Sequence, residues 1–429
     1  MGNLYSKDTD SKNLKRSINK NSDGQVFRSQ FSLSQFVGNL SGRSFVSVTS
    51  NQSVYSAARP WSRVSRRRWN DSTLNSPLEA SKTAWPVAHQ ESIFLPEFQI
   101  TTDLYKKDFE IIDTLAQGAF GEVFKVKRVA DDKFYALKVL QKAQIVSENA
   151  IGQVKEEARI QSAIGHHIFI AGAVSRWQTK KRLYIVSEYI PCGELLALLE
   201  KYSTLPEELV KIFVAEIAIA IDFLHNAGVI YRDLKPENIL LDSDYHIKLI
   251  DFGLSKWLSF GSRTTTLCGT LKYMAPEILD REPYGHAVDW WALGVLSCRM
   301  LTGQFPEPAI RAKDTATDKD IVNEVNQESS AVQLVVKPGT LPSNAETLCK
   351  ASRGLLMKLL EYDPKLRLRS LRQLQQTAFY LGYNFEQIKK KKISPKHIVV
   401  QLQKENEESC TRDVLEDLVS TFDQDLSIV

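Results

Sequence analysis

Two glycines in a short turn are the first residues of the chain whose types and spacing indicate chemistry. They lie in the segment Leu115-Ala116-Gln117-Gly118-Ala119-Phe120-Gly121-Glu122-Val123. Glycines there allow the backbone to approach a phosphate and to point N–H groups at it. The segment lacks the Gly-Lys-Ser/Thr ending of a P-loop, and a strand rather than a helix follows it, which argues against a P-loop and a dinucleotide-binding fold. Taken alone, it is better interpreted as an ordinary glycine turn in a hairpin.

Four further motifs follow this turn in a fixed order along the chain. They are Ala136-Leu137-Lys138, Tyr231-Arg232-Asp233-Leu234-Lys235-Pro236-Glu237-Asn238, Asp251-Phe252-Gly253 and Ala275-Pro276-Glu277. In this order the motifs resemble the signature of the protein kinase family, over about residues 100–400. Three segments resemble in particular the AGC group of serine/threonine kinases. They are Tyr231-Arg232-Asp233, Thr266-Leu267-Cys268-Gly269-Thr270 and Asp289-Trp290-Trp291.

The resemblance implies an α+β, bilobal fold with a small β-rich N-lobe and a larger helical C-lobe. The hydrophobic pattern agrees, because short strand-like segments fill 110–140, while helical spacing appears over 150–164 and again after 205. We predict a mostly disordered basic arm over 1–95, a kinase domain over 109–380 with its lobes meeting near residue 190, and an AGC-like tail over 381–429. The implied activity is transfer of the ATP γ-phosphate to Ser or Thr of protein substrates, with Mg²⁺ as the metal.

The resemblance also assigns a nucleotide site. Lys138 should hold the α- and β-phosphates, with an ion-pair partner on the first helix of the N-lobe. Glu157 is the expected partner, and Glu156 is the alternative, facing about 100° away on a helix. The remaining residues assigned to the nucleotide are Leu115, Ala116, Gly118, Ala119, Phe120, Gly121, Val123, Ala136, Glu188, Ile190 and Asn238.

The catalytic and metal-binding residues follow from the same resemblance. Asp233 should accept the proton of the substrate hydroxyl, and Lys235 should neutralise the γ-phosphate. Asp251 should bind Mg²⁺, and Asn238 a second Mg²⁺. These roles suit phosphoryl transfer, whose catalysis rests on positioning and charge stabilisation.

The expected substrate groove has mixed charges. Glu194 and Glu237 lie where AGC kinases bind basic residues that precede the target Ser or Thr. Lys272 and Arg299 lie where relatives often carry further acids, which weakens the expected preference for basic substrates. We expect an apolar pocket for the residue after the target, formed by Leu267, Leu271 and Met274.

Control of activity is expected at Thr266, where the family places its activation phosphothreonine. An upstream kinase would phosphorylate it, and Arg232 and Lys256 are candidates to pair with the phosphate. The alternative is an unmodified loop, in which Thr264 and Thr265 are equally available hydroxyls.

Several other positions have structural or unusual features. The resemblance predicts an ion pair between Glu277 and Arg367, and a buried Asp289 that accepts N–H bonds from the catalytic loop. Ala116 replaces the first glycine of the turn, and its methyl group should weaken nucleotide binding. Ser187 stands where the family has a bulky residue before the hinge, so we expect a back pocket that admits bulky inhibitors.

The positive charge of the chain is concentrated at its N-terminus. Residues 1–70 hold 12 Lys and Arg against three Asp, which is a net charge of +9, whereas the net charge of the whole chain is +4. The segment is rich in Ser and Asn and poor in apolar residues, a composition typical of disorder. Gly2 and Ser6 fit the N-myristoylation pattern, and the Arg-rich residues 63–68 are either a solvated linker or a second signal for anionic lipid. We therefore expect a cytoplasmic protein with reversible membrane attachment through Gly2.

Composition excludes several classes of protein. The 429 residues are 43% hydrophobic and 25% charged, as in soluble globular proteins, and suggest two or three domains. No run of about 18 apolar residues exists, so we expect no membrane-spanning helix. The five cysteines are scattered, which disfavours a disulfide scaffold or zinc site, and we expect no nucleic-acid partner. A kinase-fold scaffold without catalytic activity remains the alternative function.

The end of the chain gives the weakest signals. The start of an AGC tail is visible, but its terminal hydrophobic motif is not, which implies a different way of ordering the helix that carries Glu157. Phe422 is either an aromatic residue that touches ATP or an exposed tail residue. No role can be assigned to the polar segment 306–345.

Overall fold

The computed structural model describes residues 89–100, 108–118, 120–259, 261–307 and 337–406. Several positions discussed above lie outside these ranges, namely Gly2, the basic residues 63–68, Ala119, residues 308–336 and Phe422.

A six-stranded sheet forms the smaller lobe. Its strands are β1 (Gln99–Ile100), β2 (Phe109–Gly118), β3 (Gly121–Arg128), β4 (Phe134–Gln141), β5 (Ala173–Gln178) and β6 (Arg182–Glu188). Their spatial order is β1-β5-β6-β4-β3-β2, and all neighbours are antiparallel except β1 and β5. Alternating exposed and buried residues along β4 explain why this segment is a strand with one face on the core.

Within the described residues, the helices named beside this sheet are α1 (His89–Ser92), α2 (Lys142–Ser147) and α3 (Ile151–Ile164). The helix predicted over 150–164 is confirmed as α3, and it buries Val154, Ala158 and Ile160. The opposite face of the sheet is covered by aromatic side chains, with the rings of Trp177 and Tyr184 stacked 5.2 Å apart. The sheet therefore has a core on each face.

The larger lobe is built around two long buried helices, α5 (Glu207–Asn226) and α7 (Ala287–Thr302). Further helices of this lobe include α4 (Leu195–Tyr202), α6 (Pro276–Leu279), α8 (Lys350–Leu359), α9 (Leu371–Gln375) and α10 (Phe385–Lys389). Thirteen of the 20 residues of α5 and 14 of the 16 residues of α7 are buried, as expected of helices that are apolar around most of their circumference. The predicted bilobal fold, with a β-rich N-lobe and a helical C-lobe, is confirmed.

Four short strands flank the Tyr-Arg-Asp and Asp-Phe-Gly motifs. These are β7 (Val229–Ile230), β8 (Ile239–Leu241), β9 (Ile247–Leu249) and β10 (Lys256–Trp257). β8 and β9 form a hairpin, and β10 pairs with β7. One 3₁₀ turn, Pro236–Asn238, leads directly into β8. These connections bring the Tyr-Arg-Asp and Asp-Phe-Gly motifs next to each other.

Both ends of the described chain pack against the lobes. Phe94 and Leu95, which we assigned to the end of the N-terminal arm, are fully buried in the N-lobe. Beyond residue 380, Phe385 and Val399 are buried, and Lys391 binds Asp242 at 2.7 Å. The described part of the tail, including a helix over 396–406, thus packs against the C-lobe. Within the described ranges, no helix combines the length and apolar composition needed to cross a bilayer.

Candidate active site

The glycine turn forms a tight hairpin between β2 and β3. A Cβ atom on Gly121 would lie 1.8 Å from the carbonyl oxygen of Val139, so the sheet itself requires glycine at this position. Below the hairpin is a cleft between α3 and the Asp-Phe-Gly motif. Its lining includes Gly118, Phe120, Gly121, Val123, Lys138, Glu157 and Asp251.

Lys138 and Glu157 form an ion pair at the back of this cleft. The Lys138 Nζ to Glu157 Oε1 distance is 2.8 Å. Burial alone would lower the pKa of Lys138, but the charges of Glu157 and Asp251 and the hydrogen bond to Glu157 outweigh it and raise the pKa. Glu156 faces elsewhere and accepts the Trp257 N–H at 3.2 Å. Of the two candidate partners, therefore, Glu157 pairs with Lys138.

Asp233 lies at the centre of a hydrogen-bonded network. Its Oδ1 accepts from the Thr270 hydroxyl at 2.8 Å, and its Oδ2 accepts from Asn238 Nδ2 at 2.9 Å. Lys235 Nζ lies 2.9 Å from Asp233 Oδ2 and donates to Thr270 Oγ1 at 3.0 Å. Ionised carboxylates only accept hydrogen bonds, and these three donors fix the orientation of Asp233. The part of Thr270 in this network was not foreseen from the sequence.

A buried aspartate on α7 supports the catalytic segment from behind. Asp289 accepts the Tyr231 and Arg232 N–H groups at 2.9 and 2.8 Å, and His225 Nε2 lies 2.8 Å from its Oδ2. Burial raises the pKa of Asp289, but the His225 contact and the two backbone donors outweigh it and lower the pKa. The predicted role of Asp289 as an acceptor for the catalytic loop is confirmed.

The residues expected to hold the metal lie on adjacent stretches of backbone. The Ile250 N–H donates to the Asn238 carbonyl at 3.0 Å, which brings Asn238 beside Asp251. The described residues give Asp251 no ion pair, and its Oδ1 accepts only from the Gly253 N–H, at 3.1 Å. A carboxylate and an amide oxygen are ligands that Mg²⁺ accepts, so the two side chains fit this ion.

The remaining residues assigned to the nucleotide site lie on β2, β4 and β6 and in the segments that follow β2 and β6. Ala136 on β4 lies opposite Ser187 on β6, and Ala116 on β2 lies opposite Val123 on β3. Glu188 directs its carboxylate away, accepting from Lys248 Nζ at 2.8 Å and from the Gly172 N–H at 3.2 Å. Ile190 is buried. Leu115 is half-buried on β2, and Ala119 lies outside the described residues.

Two glutamates of the expected substrate groove lie close together. Burial, followed by the charges of Glu237 and Glu200, raises the pKa of Glu194 to about 7, against a smaller opposing effect of Lys235. Oε2 of Glu237 is buried and has no hydrogen-bond partner among the described residues. The groove therefore holds two carboxyl groups that form no ion pair within the described part of the chain.

The two basic residues of the groove gather around an aromatic ring instead of pairing with these glutamates. Lys272 Nζ lies 5.1 Å and the Arg299 guanidinium 5.0 Å from the centre of the Phe305 ring. Arg299 also donates to the Tyr273 hydroxyl at 3.2 Å. The expected apolar pocket is only partly assembled, because Leu267 and Leu271 are exposed whereas Met274 is buried.

The three threonines of the activation segment differ in exposure. Thr264 is buried and its backbone pairs with Tyr284, whereas Thr265 and Thr266 are exposed. Tyr284 donates to the Thr266 carbonyl at 2.6 Å and receives a hydrogen bond from Arg232 at 3.3 Å.

Lys256 lies on the other side of this segment. Its Nζ donates to Thr264 Oγ1 at 3.3 Å, and Thr264 Oγ1 lies 3.2 Å from Thr266 Oγ1. Tyr284 thus links Arg232 to Thr266, and Thr264 links Lys256 to Thr266. The contacts of Tyr284 with this segment could not be predicted from the sequence, because Tyr284 lies beside Thr264 only in the folded chain.

A second buried ion pair anchors the activation segment to the C-lobe. The Arg367 guanidinium donates to both oxygens of Glu277, at 2.7 and 2.9 Å, and to the carbonyls of Ala287, Glu361 and Tyr362. Arg367 is completely buried and lies over the Trp291 ring. The predicted pairing of Glu277 with Arg367 is confirmed.

The fold and the cleft together define a protein kinase. The family model described as the protein kinase domain matches residues 109–380, and the chain belongs to this family. Its relatives identify it as an AGC-group serine/threonine kinase. It is 36% identical to the ribosomal protein S6 kinase-related protein of Homo sapiens, over 72% of this chain and 71% of the relative.

Two other relatives match over a smaller part of their length. A putative serine/threonine-protein kinase of Caenorhabditis elegans is 41% identical, over 57% of this chain and 56% of the relative. Protein kinase C zeta type of Oryctolagus cuniculus is 37% identical, over 69% of this chain and 49% of the relative. The chain spans about half the length of these two relatives.

Proposed function

We propose that this serine/threonine kinase transfers the γ-phosphoryl group of ATP, with Mg²⁺, to Ser or Thr hydroxyls of protein substrates. The observation that carries the proposal is the network in which Thr270, Asn238 and Lys235 orient the carboxylate of Asp233. An oriented carboxylate beside a lysine suits transfer to a hydroxyl, because one group accepts the proton and the other offsets phosphate charge.

Each cleft residue has a separate part in this reaction. Asp233 accepts the hydrogen of the substrate hydroxyl and aligns its oxygen for attack, while Lys235 offsets charge at the transferred group. Lys138, held by Glu157, binds the α- and β-phosphates. Asp251 and Asn238 would hold Mg²⁺, which supplies positive charge at the phosphate oxygens when bound.

Substitution of the proposed base tests the activity. We expect Asp233→Asn to lower kcat by at least about a hundredfold, because general acid–base catalysis contributes that much or more. Binding of a fluorescent ATP analogue should be unchanged. Transfer to an arrayed peptide library measures the first quantity and a nucleotide titration the second. Asp244→Asn, at an exposed carboxylate, is the matched control. ATP binding by the parent chain with no transfer would favour the alternative, a kinase-fold scaffold.

The second part of the proposal is activation by an upstream kinase at Thr266. It is supported by the exposure of this residue and by Arg232 and Lys256, which reach it through Tyr284 and Thr264. A phosphate at Thr266 would carry about −1.5 to −2 charge at pH 7 and could pair directly with both cations. Such pairs would order the activation segment beside the Asp233 network.

Replacement of the neighbouring threonines separates the candidates for this site. We expect Thr266→Ala to lower the activity of the activated enzyme by at least about tenfold, since charge-assisted hydrogen bonds contribute roughly 1.5–3 kcal/mol each. Thr265→Ala, at the adjacent exposed position, should keep full activity. Peptide phosphorylation after treatment with an activating kinase measures both. Full activity of Thr266→Ala would refute the assignment.

The third part of the proposal concerns location. The Gly2 acylation pattern and the Arg-rich residues 63–68 support reversible attachment to membranes that contain anionic lipids, because one acyl chain binds only marginally without a second signal. Both features lie outside the described residues.

A further inference from the structure

The segment Glu91–Ile100, called the strap below, packs its apolar side chains into the N-lobe. Phe94, Leu95 and Phe98 are completely buried. The two phenylalanine rings meet edge to face at 6.4 Å, in a cluster with Val154 and Ala158 of α3. Full burial of three large side chains makes this a specific packing contact.

Polar contacts tie the same segment to α3. The Glu97 carboxylate, 6% exposed, lies 3.1 Å from Lys155 Nζ and also binds Arg159. Lys155 Nζ donates in addition to the carbonyls of Ile93 and Leu95, at 3.1 and 2.6 Å. A buried carboxylate is tolerated when it is paired and hydrogen-bonded, so Glu97 depends on the two cations of α3.

The strap and the cleft contact opposite sides of α3. Lys155 and Arg159 are four residues apart and share the side that faces the strap. Gln153 and Glu157 share the other side, about 200° around the helix from Lys155. There Gln153 donates to the Gly253 carbonyl at 2.8 Å, and Glu157 pairs with Lys138. The helix that positions Glu157 is thus held from both sides.

The sheet holds the strap at its other end. β1 pairs with the end of β5, and Gln178 Nε2 donates to the carbonyls of Glu91 and Phe98 at 3.0 and 2.6 Å. Lys142 Nζ donates to Gln178 Oε1 at 2.6 Å and lies 5.3 Å from the centre of the Phe94 ring. The strap therefore bridges α3 and the edge of the sheet.

We propose that the strap is a built-in docking element that holds α3 where Glu157 pairs with Lys138, so that its release lowers kinase activity. The groove it fills fits a short peptide in which two aromatic residues, four positions apart, are accompanied by a carboxylate just before the second. This proposal rests on the proposed phosphoryl transfer for its activity readout. The position of α3 itself can be measured without any activity.

The test uses the full-length chain. Phe94→Ala/Phe98→Ala should increase hydrogen exchange of the amides of 151–164 and lower kcat/KM by at least about tenfold, through lost alignment of Lys138. Glu97→Gln, which keeps the shape of the side chain, should do both to a smaller extent. Gln99→Ala is the matched control, because Gln99 is in the same segment with an exposed side chain. Circular dichroism establishes that each variant is folded.

A peptide of residues 91–100 added to the double variant provides the decisive result. We expect it to restore both the exchange protection of 151–164 and kcat/KM, and the same peptide with Ala at both Phe positions to restore neither. Unchanged exchange and activity in Phe94→Ala/Phe98→Ala and in Glu97→Gln would overturn the proposal, as would a folded double variant that the peptide fails to rescue. If the parent chain transfers no phosphate, the proposed activity fails, while the exchange measurements still decide whether the strap holds α3.

Discussion

Two residues beside the proposed chemistry have left-handed backbone conformations. Arg232 has φ of 71° and Asp251 has φ of 54°, which costs of the order of 1–3 kcal/mol at each residue. Both are held by hydrogen bonds, since Asp289 accepts the Arg232 N–H and Asp251 accepts the Gly253 N–H. Strain that the surrounding structure offsets in this way is typical of functional sites.

At the same scale, we expect Glu194 to make substrate binding depend on pH. Its pKa of about 7 means that the carboxyl is mostly neutral at pH 6 and mostly charged at pH 8. We expect KM for a peptide with Arg before the target Ser to fall by about tenfold between these values, because a charge-assisted hydrogen bond contributes roughly 1.5 kcal/mol or more. Steady-state kinetics across this range measure it.

Two controls accompany this measurement. In Glu194→Gln the fall in KM should disappear, and a peptide with Ala in place of Arg should show none in the parent enzyme. An equal pH dependence in Glu194→Gln and the parent would exclude Glu194 as its source.

Single residues of the cleft could be assigned from the sequence where a motif fixes their backbone position. Lys138 and Asp233 are such cases. Glu157 and Glu156 could also be distinguished, because adjacent residues of a helix face different directions. Thr270 and Tyr284 could not be assigned, because their contacts depend on a loop and a β-bridge that no local pattern specifies. The contacts of Lys272 and Arg299 with Phe305 were likewise not predicted, because no local pattern places this ring beside the two cations.

At the scale of elements, α6 and the loop after α8 are joined by Glu277 and Arg367. Arg367→Met would leave the Glu277 carboxylate buried without its partner, which costs about 3–5 kcal/mol. We expect the free energy of unfolding to fall by this amount in urea titrations followed by circular dichroism. The control is Arg369→Met, at an exposed arginine two residues away. Equal stabilities of the two variants would contradict a structural role of the pair.

The helices and strands themselves were largely predictable, because their hydrophobic periodicity is local. The strap was not, since Phe94 and Phe98 become buried only against residues between Leu140 and Ile185, far along the chain. Composition around residue 95 therefore suggested the end of a polar arm, although the segment contributes to the N-lobe core.

At the scale of the whole molecule, positive charge and catalysis are separated along the chain. Residues 1–70 carry +9, residues 71–100 carry −3, and residues 101–429 carry −2, which gives the total of +4. The catalytic lobes are thus close to neutral, and their sequence provides no comparable electrostatic attraction to anionic lipid.

If Gly2 is acylated as proposed, loss of the acyl chain should release the protein from membranes. We expect Gly2→Ala, co-expressed with an N-myristoyltransferase, to bind phosphatidylserine vesicles at least about tenfold more weakly than the parent, because a myristoyl chain alone contributes a binding constant of about 10⁴ M⁻¹. Vesicle sedimentation measures this, and Asn13→Ala in the same arm is the control. Equal sedimentation of Gly2→Ala and the parent would refute lipid attachment at Gly2.

The groove beneath the strap has a consequence for the search for inhibitors. A segment tethered to the same chain occupies its site at an effective concentration of the order of millimolar. Any small molecule directed at this face of α3 must therefore displace Phe94 and Phe98 before it can bind, and its apparent affinity is reduced by that competition. A screen against the parent protein would discard such compounds, whereas a screen against Phe94→Ala/Phe98→Ala would retain them.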